Sequence, residues 1–181
     1  MRIGVLRVGC VDFEVVRGVR VGLCGVFSGV VFEVFERVMI VPQDAYDVGR
    51  QQFSSSCILS RICEFIEFSG FDRVLGVTDV DLFVPGLSFV FGEAECPGRV
   101  AIISLCRLRP EFYGCSLDSG LLVERSVKEA VHEIGHTLGL VHCRDPLCVM
   151  FFSNNIDDTD RKRGVFCGRC RGLVLERLKR V

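Results

Sequence analysis

The chain has 181 residues, 49% of them hydrophobic and 25% charged, with a formal net charge of −1. That composition suits one domain with a buried core and excludes the disordered class. A balance this close to neutral lacks the electrostatic footprint of a nucleic-acid binder or a protein drawn to anionic membranes, so neither partner is expected. No apolar run reaches the length of a membrane span, because Glu33 and Glu36 break the best candidate. The first apolar stretch carries Arg7 and runs into Asp12 and Glu14, unlike a secretory leader. A cytoplasmic, reducing setting is therefore expected, in which eleven cysteines need a reason other than disulfides.

In chain order, residues 2–8 alternate and are rich in branched side chains, which predicts a strand. Residues 12–27 fit a helix, although glycines weaken it. Residues 30–41 predict a second strand, which Pro42 ends. The stripe Phe53, Ile58, Ile62, Phe65 and Ile66 predicts a helix from Asp44 to about Phe68, closed at Gly70. Further strands are expected at 73–80, 87–91 and 100–106, with the Pro85-Gly86 turn between the first two. The short strand at 87–91 is the expected antiparallel edge. The polar run 154–164 reads as a surface loop and 173–181 as a terminal helix. Strands alternating with helices imply an α/β fold with a mostly parallel sheet.

All three histidines of the chain fall within eleven residues, in AVHEIGHTLGLVHC. Asp118 and Ser119 can cap a helix reaching about Leu138, whose apolar stripe is Val127, Val131, Ile134 and Leu138. At 3.6 residues per turn, His132 and His136 lie roughly 140° from the middle of that stripe. They are neighbours at i and i+4, a spacing at which one zinc ion can take a nitrogen from each. Gly139 lets the chain leave the helix, and the turn can return His142 as a third ligand. Three protein ligands leave the fourth tetrahedral position open, as in a catalytic zinc site. Glu133 can then take a proton from the attacking water and pass it to the leaving amine. Met150 fits the methionine that follows HExxHxxGxxH beneath the metal, although a lone methionine is ordinary core material.

Four cysteines cluster late as Cys143-x4-Cys148 and Cys167-x2-Cys170. The spacing suits a closed, structural zinc site made of four thiolates, with redox or disulfide use of Cys167 and Cys170 as the alternative. Arg144, Arg161, Lys162, Arg163, Arg169 and Arg171 flank the cluster and can offset its charge. The other seven, Cys10, Cys24, Cys57, Cys63, Cys96, Cys106 and Cys115, sit in apolar contexts and read as small buried core residues.

The run from His132 to Met150 followed by Cys167-Gly-Arg-Cys170, together with SFVFGEAECPGRVAIISLCRLRPEFYG at 88–114, resembles the archaemetzincins, zinc metalloproteases of the metzincin clan. The resemblance covers about half of the chain. It implies a catalytic zinc on His132, His136 and His142 with Glu133 as general base. It also implies a structural zinc on Cys143, Cys148, Cys167 and Cys170, with Met150 in the Met-turn. The implied fold is a metzincin-like mixed, mostly parallel twisted sheet with an antiparallel edge strand, a backing helix, an active-site helix and a small zinc-stabilised C-terminal lobe. Residues 1–139 would form the N-terminal catalytic subdomain and 140–181 the lobe. A peptide or protein substrate is implied, aligned along Phe89, Val90, Phe91 and Gly92 by strand addition. A monomer is expected. Where some metzincins carry a metal-binding tyrosine two residues after the methionine, this chain has Phe152. The rival reading is a catalytically silent, zinc-stabilised peptide- or partner-binding protein, which would have no reason to keep Glu133.

Overall fold

The structure is a computed structural model that describes residues 1–67 and 69–179. Four parallel strands form the body of the sheet: β1 (Arg2–Val8), β2 (Val31–Met39), β5 (Arg73–Thr78) and β8 (Val100–Ser104). A fifth strand, β7 (Gly92–Ala94), runs antiparallel along β8, so the order is β2-β1-β5-β8-β7 with β7 at an edge. A three-stranded satellite sheet holds β3 (Tyr46–Asp47), β4 (Gln52–Ser54) and β6 (Leu82–Phe83).

The helices divide between the two faces. One core gathers Val5, Leu75 and Ile103 of the sheet with Val16, Val19 and Leu23 of α1 (Phe13–Val26) and Ala130, Val131 and Ile134 of α3 (Ser119–Thr137). The other gathers Leu6, Val74 and Ile102 with Ile58, Leu59 and Ile62 of α2 (Ser55–Ile66). A strand buried on both faces reads as a continuous apolar run, as β8 does, whereas β1 was plain from its alternating, branched residues.

Several expected elements differ. The helix expected from Asp44 begins only at Ser55, where the Ser54 hydroxyl accepts from the Cys57 N–H. Residues 46–54 are instead a hairpin, and Phe53 pairs with Tyr46 and Leu82. Phe68 lies outside the described residues. The expected strand at 87–91 moves to 92–94, the stretch in register with β8, while Val90 makes a single bridge to Leu82. The expected loop at 154–164 contains α4 (Ile156–Arg161), capped by the Asn155 side chain accepting from the Asp158 N–H. The terminal helix α5 spans Gly168–Leu178; of its expected range, residues 180 and 181 lie outside the described residues. None of the seven scattered cysteines is buried: Cys10, Cys24, Cys96 and Cys115 are exposed and the others half-buried. All eleven cysteines are unpaired.

The α1 glycines serve helix packing. Val123 and Val127 of α3 sit directly over Gly18 and Gly22, where an added Cβ would lie 2.8 and 2.4 Å from a valine methyl. Gly25 of the same helix faces open space. An alanine gains helix propensity of about 1 kcal/mol at either position, but at Gly22 overpacking costs about 1–3 kcal/mol. Gly25→Ala is therefore expected to raise the melting temperature and Gly22→Ala to lower it, by about 2–6 °C. Thermal unfolding of the two variants checks this; a Gly22→Ala protein as stable as Gly25→Ala would contradict the packing.

Candidate metal centres and cleft

Helix α3 begins where the Asp118 carboxylate accepts from the Leu121 N–H, as the sequence suggests. It ends at Gly139, whose φ of +84° suits glycine, while Leu140 N–H closes back on the Gly135 carbonyl. That reversal returns the chain so that His142 faces His132 and His136. The ligand atoms of the three histidines all lie within 4.8 Å of one another.

Two imidazoles are fixed from behind. His132 Nδ1 contacts the Val149 carbonyl and His136 Nδ1 the Leu140 carbonyl, each at 2.7 Å. A carbonyl only accepts, so each Nδ1 carries the proton and each Nε2 presents a lone pair. Those two Nε2 atoms approach to 3.0 Å. Two lone pairs at that distance repel unless a cation lies between them, and the spacing suits zinc–nitrogen bonds of about 2.0–2.1 Å. Burial lowers the pKa of His132 well below the ordinary histidine value and lowers those of His136 and His142. All three are thereby kept in the neutral form that binds metal. Phe152 packs its ring 4.9 Å from that of His142, so its place after Met150 is an apolar one.

Glu133 faces the same cleft. Burial raises its pKa well above the carboxylate range, the neighbouring Glu129 raises it further, and Lys162 opposes both. Its room is made by the edge strand: a Cβ on Gly92 would stand 2.8 Å from Glu133 Oε1 and 2.7 Å from the Ile102 carbonyl. Met150 is fully buried, with Gly135 of α3 so close that a Cβ there would lie 2.5 Å from the methionine sulfur. The cleft is about 510 Å³ and is lined by the three histidines, Glu133 and the whole of Phe89, Val90, Phe91 and Gly92. Of those four, only Gly92 belongs to the edge strand.

Cys143, Cys148, Cys167 and Cys170 converge in the same way, with their sulfurs within 4.8 Å of one another. Cys143 and Cys167 sulfurs are 3.9 Å apart, a distance that tetrahedral zinc–sulfur bonds of about 2.3 Å would span. The Cys167 N–H points at the Cys148 sulfur at 3.3 Å, and the Cys170 N–H pulls the Cys167 thiol pKa down. The two clusters share one short segment. Cys148 serves the thiol cluster, Val149 holds His132, and the Met150 carbonyl accepts from the Cys143 N–H at 2.8 Å.

Sequence reasoning missed two features. The polar side of α3 is not open: His132 and Glu133 are each only 5% exposed, the first against the Val149 carbonyl and the second against Gly92 of the edge strand. And Lys162, expected to balance the cysteines, is wholly buried facing the other way, with Nζ 2.8 Å from Glu129 Oε1. That contact lacks hydrogen-bond alignment, so it acts as an ion pair. Thr159 donates to the same oxygen at 3.2 Å. A lysine in an arginine-rich polar run carries no local signal of such burial.

A three-histidine site with an adjacent glutamate, set on a helix beneath an antiparallel edge strand, defines a zinc metallopeptidase of the metzincin kind. The sequence profile of peptidase family M54 matches residues 28–179. The archaemetzincin of Methanocaldococcus jannaschii is 45% identical over 177 residues, 98% of this chain and 94% of that protein. The crystal structure of archaemetzincin from Methanopyrus kandleri superposes with a TM-score of 0.83 at 36% identity, covering 99% of this chain and 96% of that one. A zinc-dependent peptidase from Methanocorpusculum labreanum superposes with a TM-score of 0.87 at 33% identity, covering 95% and 99%. The chain belongs to the archaemetzincins, peptidase family M54, and is a zinc-dependent peptidase.

Proposed function

We propose that the protein hydrolyses peptide bonds at the triad of His132, His136 and His142, with Glu133 as general base, and that Cys143, Cys148, Cys167 and Cys170 hold a second, structural zinc. The observation that carries the first part is the pair of facing Nε2 lone pairs in a cleft that the buried Glu133 carboxylate also lines. Zinc bound by the triad would supply a Lewis acid and bring the pKa of a coordinated water to about 7. Glu133 takes the proton from the attacking water and returns it to the departing amine. Its desolvated position makes the carboxylate a stronger base than one in water. Met150 floors the triad.

The substrate adds as a strand to β7. Phe91 O accepts from Ser104 N–H and Glu95 N–H donates to Val100 O, so the alternate residues Gly92 and Ala94 turn their backbone groups to the free edge. Phe89, Val90 and Phe91 supply an apolar wall beside it. Residues 1–139 act as the catalytic subdomain and 140–181 as the lobe that fixes the metal ligands. A monomer acting on peptides in the cytoplasm, without nucleic acid or membrane, accords with the near-neutral charge and the eleven unpaired cysteines. No described helix is long and apolar enough to cross a membrane.

Because Gly92 leaves the space that Glu133 occupies, Gly92→Ala is expected to cut kcat by about 10–100-fold through misplacement of the base, with zinc content unchanged. Steady-state kinetics with metal analysis checks this. The function itself is tested by digesting a peptide library with protein whose triad is zinc-loaded and identifying the products by mass. Defined cleavage sites are expected; a loaded triad that cuts nothing would favour a peptide-binding protein.

A further inference from the structure

Resting on the peptidase reading, we propose that Glu93 is a specificity-determining residue that selects peptides carrying a basic side chain at the position paired opposite it. Glu93 is the central residue of the edge strand, and it lines the cleft. Its inner partner on β8 is Ile102, which belongs to the α2 side of the sheet. Alternation along a strand therefore puts the Glu93 carboxylate on that side, while Gly92 faces Glu133 on the other. The Ser56 hydroxyl on the first turn of α2 fixes the carboxylate, 2.9 and 3.0 Å from its two oxygens. A hydroxyl leaves the charge in place. Among the described residues no arginine or lysine forms an ion pair with Glu93, and no cationic side chain lines the cleft. Arg50, which approaches the same end of the cleft, spends its guanidinium on Gln52 and on the carbonyls of Leu87 and Ser88.

A peptide that extends the sheet beyond β7 places the side chain opposite Glu93 on the α2 side, at cross-strand distance from the carboxylate. An opposite charge there is favoured and a like charge disfavoured. Slipping the peptide by one residue turns that side chain to the zinc side, so the preference has the two-residue period of a strand.

The test uses binding, so that it stands apart from turnover. Zinc-loaded Glu133→Gln protein is titrated with labelled alanine hexapeptides, acetylated and amidated, each carrying one arginine or one glutamine at successive positions. Blocked ends remove the terminal amine as a source of positive charge. Arginine is expected to bind about two- to fivefold tighter than glutamine at one position. The gain should weaken two residues away and vanish at the immediate neighbours. Adding Glu93→Gln should erase the gain while leaving the glutamine peptides unchanged. No difference between arginine and glutamine, or a difference that survives Glu93→Gln, would overturn the proposal. Library digestion by the wild type judges the peptidase reading separately: cleavage without an arginine preference would sink only the specificity proposal.

Discussion

Glu133→Gln is expected to lower kcat by about 10²–10⁴-fold while the protein still binds zinc at both centres. The amide matches the carboxylate in size and keeps the contact with Gly92, so the cleft keeps its shape. What it loses is the site that receives the proton of the attacking water. Because the imidazoles are held by the Val149 and Leu140 carbonyls rather than by Glu133, metal binding should not follow activity down. The same substitution should stabilise the metal-free protein at neutral pH. The folded-state pKa of Glu133 lies above its unfolded value, chiefly through burial. Its contribution is therefore fully present below the unfolded pKa and is lost as pH rises through the folded one. Glutamine removes that loss, so the gain in melting temperature over wild type should grow from about pH 5 towards pH 7. Kinetics, zinc analysis and melting curves on one preparation separate these effects. Equal activity in the variant would remove Glu133 from the chemistry.

Cys148→Ser is expected to have the largest effect on stability. A structural zinc contributes about 10–16 kcal/mol to folding in small zinc domains at neutral pH, and a serine in place of a thiolate forfeits much of it. The damage should not stay local. The Val149 carbonyl accepts the hydrogen bond of His132 Nδ1–H, and the Val149 N–H donates to the Val165 carbonyl near Cys167. Once the thiol cluster opens, the Val149 carbonyl loses its support and His132 its orientation. The affinity of the histidine site for zinc should then fall by about 10–100-fold, the usual cost of removing a ligand's outer partner. Hydrogen exchange should rise over 140–179 while β1, β5 and β8 stay protected. A variant with wild-type exchange in that lobe and wild-type zinc affinity at the histidines would refute the linkage.

The two side-chain clusters that could hold a metal were legible because their signal is local. His132 and His136 share a helix turn, Gly139 marks the exit, and paired cysteines have few other uses at that spacing. β8 was legible as a largely apolar run and β1 through its alternating, branched side chains. What escaped depends on distant neighbours. Phe53 fits the helical stripe of α2, yet a hairpin with Tyr46 claims it. Gly18 and Gly22 look like defects in α1 until Val123 and Val127 are laid over them. Gly92 owes its identity to Glu133, forty-one residues later in the chain. Lys162 was assigned to the cysteines from adjacency, but its partner Glu129 lies on α3. The scattered cysteines show the converse error: apolar sequence neighbours did not bury them.

One zinc, held by the three histidines, should be required for peptide cleavage, and a second, held by the four cysteines, should stand outside the chemistry. Zinc content and peptide hydrolysis measured together during stepwise chelation test this most directly. A site with an open fourth position should give up its metal before the closed thiol site. Two zincs per chain are expected at the start, with activity falling in step with the first one lost and recovering on adding back one equivalent. Full cleavage by protein holding only one zinc at the cysteines, or loss of both metals in a single step, would contradict this.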